Sequence, residues 1–124
     1  MDTRKKIKIY PPAQSVRWIR DLARARGIKP NEMCTLIVRE ALSDWRKRLL
    51  VFTQKEVEAA ARVPEIKVEI SFYADPALEE AWEYFKIRHQ ITSDAQAGRM
   101  IVRRRYVGDA APASGQMQLS LDLV

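Results

Sequence analysis

The sequence predicts a mainly α fold with two short strands, arranged as two copies of one strand–helix–helix unit within a single chain of 124 residues. Three observations predict it. Residues 4–10 and 66–73 alternate polar and apolar side chains, the period of a half-buried strand. Each is followed by stretches whose apolar residues recur at i, i+3, i+4 and i+7, the period of an amphipathic helix. A shift of 63 positions then lays one set of elements on the other.

The first strand, residues 4–10, places Ile7 and Ile9 on one face and Lys6, Lys8 and Tyr10 on the other. Pro11 and Pro12 stop it, because proline lacks the ladder donor. Residues 13–26 form a helix with Val16, Ile19, Leu22 and Ala23 on its apolar stripe, and Gly27 is its C-terminal stop. Pro30 opens a second helix, where the missing N–H costs nothing. Met33, Ile37, Ala41, Trp45 and Leu49 form one stripe on it, and Leu36, Val38 and Leu42 widen that stripe, which calls for burial on more than one side. Thr53 and Glu56 have capping-box spacing, so a short connecting helix is expected from there to about Arg62, ended by Pro64. The alternation returns over 66–73. Asp75-Pro76 reads as an N-cap followed by the first helical residue of a helix striped by Leu78, Trp82 and Phe85. Thr92 is positioned to cap a last helix carrying Met100 and Ile101.

Under the 63-residue shift Ile7 falls on Ile70, Ile9 on Phe72, Tyr10 on Tyr73, Ile19 on Trp82, Leu22 on Phe85, Ile28 on Ile91, Ile37 on Met100 and Val38 on Ile101. The chain divides into a first unit (1–50), a connector (51–64), a second unit (65–107) and a tail (108–124) of flexible-linker composition.

Charge points to the partner. The formal net charge is +6 and the isoelectric point about 9.7. Residues 1–50 hold 13 Lys or Arg against 5 Asp or Glu, whereas 65–107 are balanced at 7 against 7. A basic field in one half suits a polyanion such as nucleic acid. The one cysteine, Cys34, excludes an internal disulfide framework. No apolar leader follows the first residues and no apolar run approaches a bilayer span, so a cytoplasmic protein without membrane contact is expected.

A short basic strand, a helix, a Gly-Ile turn and a longer helix resemble the ribbon-helix-helix DNA-binding family, well over 4–50 and more weakly over 65–106. The resemblance implies that two units intertwine, with their strands paired as an antiparallel ribbon that enters the major groove. With both units in one chain, it implies an intrachain pseudo-dimer, an arrangement similar to the tandem units of TraY-type accessory proteins of conjugative relaxosomes. The family's three alternate base-reading positions fall on Lys6, Lys8 and Tyr10, and in the second strand on Glu69, Ser71 and Tyr73, with Lys67 preceding them. Lysine donates to guanine, glutamate accepts from cytosine N4, and serine is permissive, so an asymmetric double-stranded target is expected. The family also holds phosphates at the N-terminus of its second helix, here near Lys29 and Asn31 and near Thr92 and Ser93. Arg4 and Lys5 add phosphate contacts from the arm. Lysines on a strand also serve simply to keep a sheet edge from aggregating; charge, alternation and the helices that follow together favour DNA.

The tail carries a second resemblance. Gln118, Leu119, Ser120, Leu121, Asp122 and Leu123 resemble the hexapeptide by which bacterial proteins bind the replication sliding clamp. That implies a hydrogen bond from Gln118 and apolar pockets for Leu121 and Leu123. A strand pairing with its own protein is the plainer alternative, since the leucines alternate.

No Gly-rich phosphate loop and no nucleophile–base set is present, so no enzyme, catalytic residue or cofactor is expected. His89 and Cys34 are too few to build a metal site. Trp18, Trp45 and Trp82 read as core, Glu79 and Glu80 as a solvated face, and Arg103–Arg105 as cations suited to a helix C-terminus. The functional expectation is a sequence-specific DNA-binding protein of a bacterial mobile element, nucleoid- or plasmid-associated, acting as a pseudo-dimer or an oligomer of pseudo-dimers. Two alternatives stand beside it: a transcriptional repressor of its own operon, and an interaction factor such as an antitoxin or clamp modulator.

Overall fold

The computed structural model describes residues 4–63 and 66–109. The elements are β1 (Lys5–Ile9), α1 (Ala13–Arg26), α2 (Pro30–Arg46), α3 (Gln54–Ala61), β2 (Ile70–Ala74), α4 (Pro76–Arg88) and α5 (Asp94–Asp109). The architecture is mainly helical with one two-stranded antiparallel sheet. No helix among the described residues is long and apolar enough to cross a membrane.

The ribbon joins the N-terminal end of the described chain to its middle. Lys5 pairs with Ala74, Lys6 with Tyr73, Ile7 with Phe72, Lys8 with Ser71 and Ile9 with Ile70. The register continues past Ile9: Val68 N–H donates to Pro11 O at 3.1 Å, Pro12 bridges Lys67, and Ala13 N–H donates to Ile66 O at 3.3 Å. Alternation sends Ile7, Ile9, Ile70, Phe72 and Ala74 inward, where all are buried. The helices close over that face. Phe72 packs edge-on against Trp82 with ring centroids 4.8 Å apart, and Trp82, Phe85, Ile19, Val38, Leu42 and Ile101 complete the centre of the core.

Packing crosses between the halves. β2 lies against α2 and β1 against α5. At the second of these contacts Gly98 faces Ile9 so closely that a Cβ there would overlap the Ile9 side chain, lying 2.6 Å from its Cβ. At the first, Thr35 Oγ1 donates to Asn31 O at 2.8 Å and accepts the Tyr73 backbone N–H at 3.0 Å.

Helix ends follow from local chemistry. Asp75 caps α4 by accepting from Leu78 N–H at 2.8 Å, and Thr53 with Glu56 forms the expected capping box on α3. α1 and α4 end alike. Gly27 (φ 68°) and Gln90 (φ 57°) both take the left-handed conformation, and the following residues Ile28 and Ile91 donate to Ala23 O and Lys86 O.

Four expectations are corrected. β2 begins at Ile70 rather than at residue 66. Leu36, expected to widen the buried stripe of α2, is 41% exposed. α5 is capped by Ser93, whose Oγ accepts from Gln96 N–H at 3.1 Å, one residue beyond the expected Thr92. Leu49 is not on the buried stripe of α2: the helix ends at Arg46, the chain reverses at Arg48 (φ 63°), and Leu49 is 75% exposed.

α5 is anchored by polar contacts. Asp94 Oδ1 accepts from Trp82 Nε1 and from Lys86 Nζ, both at 2.8 Å, and Lys86 also pairs with Glu83 at 3.2 Å. Burial alone would raise the Asp94 carboxyl and lower the Lys86 ammonium. The hydrogen bonds and charges between them outweigh it and move each the other way.

Three substitutions test these features. Gly98→Ala should lower unfolding free energy by about 1–3 kcal/mol in urea denaturation, as overpacking of a filled core does, while Gln90→Gly should raise it by about 0.5–1 kcal/mol through relief of left-handed strain. Asp94→Ala should cost about 2 kcal/mol at neutral pH. Because the Asp94 pKa is depressed on folding, its contribution is present above the ordinary value of 3.8 and lost as pH falls through the lower folded value. The difference in thermal midpoint between parent and variant should therefore shrink in acid below that value.

Candidate nucleic-acid interface

The outward face of the ribbon collects the strand residues singled out by sequence. Parity and register put Lys6 opposite Tyr73, Lys8 opposite Ser71, Tyr10 opposite Glu69 and Pro12 opposite Lys67. Lys6, Lys8, Lys67 and Glu69 are exposed, and Tyr10 and Tyr73 are half-buried. Ser71 is the exception. It is only 2% exposed, so its hydroxyl meets a ligand only if the longer side chains flanking it move aside.

The face is internally paired. Glu69 accepts from the Tyr10 hydroxyl at 3.4 Å and lies 3.9 Å from Lys8 Nζ. Lys67 Nζ stands 5.5 Å from the centre of the Tyr10 ring, and the Arg4 guanidinium 5.0 Å from that of Tyr73. Each tyrosine therefore carries a cation on its ring, worth about 0.5–1 kcal/mol at an exposed site. These contacts hold the aromatic rings against the ribbon and spread positive charge along it.

The candidate phosphate positions divide into two places. Lys29 is exposed and Asn31 half-buried at the start of α2, where Glu32 Oε1 accepts the Lys29 backbone N–H at 2.9 Å. The chain of hydrogen bonds from Asn31 O through Thr35 to Tyr73 N–H ties that helix end to the ribbon edge. Thr92 and Ser93 are exposed at the start of α5, itself held to the ribbon by Gly98 on Ile9. Asp94 sits in that same first turn and engages Lys86, so this end already holds a carboxylate. Lys5 is drawn to Glu79 at 3.2 Å, which screens part of its charge.

Residues outside the ribbon take structural places. Arg104 pairs with Glu56 at 2.9 Å, and Arg105 with Asp44 at 2.6 Å, leaving Arg103 as the exposed member of the arginine run. Cys34 is buried, which pushes its thiol up to about 12. His89 packs among Trp45, Phe52 and Phe85 with Nδ1 2.9 Å from Phe85 O. Gln118, Leu119, Ser120, Leu121, Asp122 and Leu123 lie outside the described residues.

Thr35, Gly98 and the two cation–ring pairs went unnoticed in the sequence. The 63-residue shift could have found the last, since it carries Arg4 onto Lys67 and Tyr10 onto Tyr73. Neither a protein-family model, nor a curated protein, nor a solved structure matches the chain.

Thr35 supplies a test of how α2 is tied to the ribbon. Thr35→Val keeps the shape but leaves the Tyr73 N–H without its acceptor, and should cost about 1–3 kcal/mol in chemical denaturation. A neutral outcome would show that water replaces the hydroxyl.

Proposed function

We propose that this chain is a tandem ribbon-helix-helix protein that binds a specific, asymmetric site on double-stranded DNA, reading the major groove with the outward face of its ribbon. The observation that carries the reading is the composition of that face: Lys6, Lys8, Tyr10 and Lys67 stand together with Glu69 on an exposed two-stranded ribbon whose other face is buried.

The tandem arrangement rests on agreement between distant parts of the chain. A shift of 63 carries Ala13–Arg26 onto 76–89, beside the observed Pro76–Arg88, and Pro30–Arg46 onto 93–109, beside Asp94–Asp109. It carries Gly27 onto Gln90, both left-handed, and the Ile28-to-Ala23 hydrogen bond onto that from Ile91 to Lys86. The same shift applied to the strand register makes Lys8 and Ser71 the central, self-equivalent pair, with Ile7–Phe72 exchanging with Ile9–Ile70. Each strand packs on the second helix of the other half, as intertwined units require.

Lysine at 6 and 8 can donate to guanine O6 and N7, while Glu69 offers an acceptor to cytosine N4. The two halves of the face thus differ chemically, which favours an asymmetric target. Lys29, Asn31, Thr92 and Ser93 would bring helix N-termini to the flanking phosphates, aided by Arg4 and Lys5. Tail residues 118–123 would tether the complex to the sliding clamp. The setting that suits both activities is a bacterial mobile element, in transfer or maintenance.

Selection of bound duplexes from a random pool at physiological salt should enrich one non-palindromic motif; a pool that emerges unenriched overturns sequence-specific reading. Lys6→Ala with Lys8→Ala should weaken binding to that motif roughly 30-fold or more, two base contacts at ~1 kcal/mol each being the lower end. The circular dichroism spectrum should not change. Gln118→Ala with Leu121→Ala should abolish clamp association in biolayer interferometry and leave DNA binding intact, and absence of association in the parent chain would remove the clamp from the proposal.

A further inference from the structure

The tandem reading exposes a difference between the halves. α3, the segment that follows α2, crosses over and seats on α5. Gln96 Nε2 donates to Val57 O at 3.0 Å and Arg99 Nε to Ala60 O at 2.8 Å, so two polar side chains of α5 satisfy carbonyls near the C-terminus of α3. Met100 and Arg103 extend the same seat.

The equivalent seat on α2, 63 residues earlier, is Met33, Leu36, Ile37 and Glu40. No described element covers it in the way α3 covers α5. In its place is an open cleft of about 350 Å³, whose apolar lining is Trp18, Leu22, Met33, Ile37 and Leu50. Leu36 beside it is 41% exposed. Where α5 offers donors at Gln96 and Arg99, α2 offers Met33 and Leu36 at the equivalent positions. Arg26 and Glu40 also line the cleft, and its Arg104 and Arg105 are already paired with Glu56 and Asp44. The occupant it fits is therefore an apolar segment with an acidic side chain rather than a helix end presenting carbonyls.

We propose that the chain's own tail, residues 117–124, docks in this cleft as the counterpart of α3. Four features select that occupant. α3 spans 54–61, and the 63-residue shift carries it onto 117–124. The connections are equal, residues 47–53 between α2 and α3 and 110–116 beyond α5. Gly108 lines the cleft, so the chain leaves α5 at its edge. The segment carries Met117, Leu119, Leu121 and Leu123 to meet the apolar lining, and Asp122 to meet the exposed Arg26 at the rim. Seven residues reach roughly 23 Å when extended, ample for the crossing. The leucines are those of the proposed clamp contact, so docking and clamp binding exclude one another and docking lowers apparent clamp affinity by the fraction of tails held.

The test compares the full chain with a full-length Leu119→Ser, Leu121→Ser, Leu123→Ser variant by NMR at two protein concentrations. The Trp18 indole N–H and the Met33 and Ile37 methyl signals should shift in the variant by the same amount at both concentrations. Unmoved cleft signals overturn the docking. So do shifts that appear only at the higher concentration, which would assign the cleft to a second copy. The inference rests on the tandem-ribbon reading, and DNA selection on the same samples separates the two. A Lys6- and Lys8-dependent motif with unmoved cleft signals sinks the docking alone, and no motif in the parent chain sinks the ribbon reading whatever the cleft shows.

Discussion

Everything in this molecule hangs on the pairing of two five-residue strands that lie about half the chain apart. A two-stranded ribbon is marginal by itself in water. Here it forms because Ile7, Ile9, Ile70, Phe72 and Ala74 are taken out of solvent by helices from both halves. That burial also fixes which residues face outward. A slip of one residue would exchange the two faces, bringing Lys6 and Lys8 into the core and Ile7 and Ile9 into water. Register and candidate interface are therefore one constraint: the apolar side of the ribbon decides what its polar side displays.

The helices support that ribbon by different means on its two edges. On the β2 edge a hydroxyl is used, Thr35 accepting from Tyr73 N–H. On the β1 edge space is used, Gly98 letting α5 approach Ile9 more closely than any side chain would allow. A hydrogen bond tolerates small displacements, whereas a contact at the limit of steric approach does not. α5 accordingly carries more anchoring, with Asp94 gathered by Trp82 and Lys86 at one end and Arg104 and Arg105 held by Glu56 and Asp44 at the other.

Periodicity made much of this legible. Alternation located both strands, although β2 is observed at Ile70–Ala74 rather than over 66–73, with the earlier residues contributing a bridge and two backbone hydrogen bonds. The α1 stripe and its glycine stop predicted Ala13–Arg26 without error, because Gly27 fills a left-handed position that few other residues take readily. The same position in the second half is Gln90, which carries no such signal. The stripe on α2 overran to Leu49 because periodicity alone does not see the reversal at Arg48. A mid-helix glycine reads as a weakness, and Gly98 becomes intelligible only once Ile9 is placed against it. The acidic partners of Lys5, Lys86, Arg104 and Arg105 were invisible for a related reason. Most come from other elements, and pairing across elements leaves no trace in local spacing.

Glu69 is the residue on which the chemistry of the proposed interface turns. A carboxylate facing phosphates is unfavourable, and a ribbon selected for affinity alone would carry lysine or glutamine there. In the free protein Glu69 is held by the Tyr10 hydroxyl and lies near Lys8. Binding to DNA, as proposed, would exchange those partners. Where a cytosine N4 stands opposite, the exchange replaces one donor by another. Where guanine or thymine stands opposite, which offer only acceptors in the major groove, Glu69 would keep its charge near phosphates without a new donor, and Lys8 would remain drawn toward it. In the proposed complex the carboxylate would therefore act twice, through its own contact and through the freedom it grants Lys8, so its effect on discrimination would exceed its effect on affinity. Its counterpart under the 63-residue shift is Lys6, for which the same base would be a poor partner. Positions 6 and 69, equivalent under that shift, thus carry opposite charges, and under the proposed reading an asymmetric site would suit this ribbon better than a palindrome.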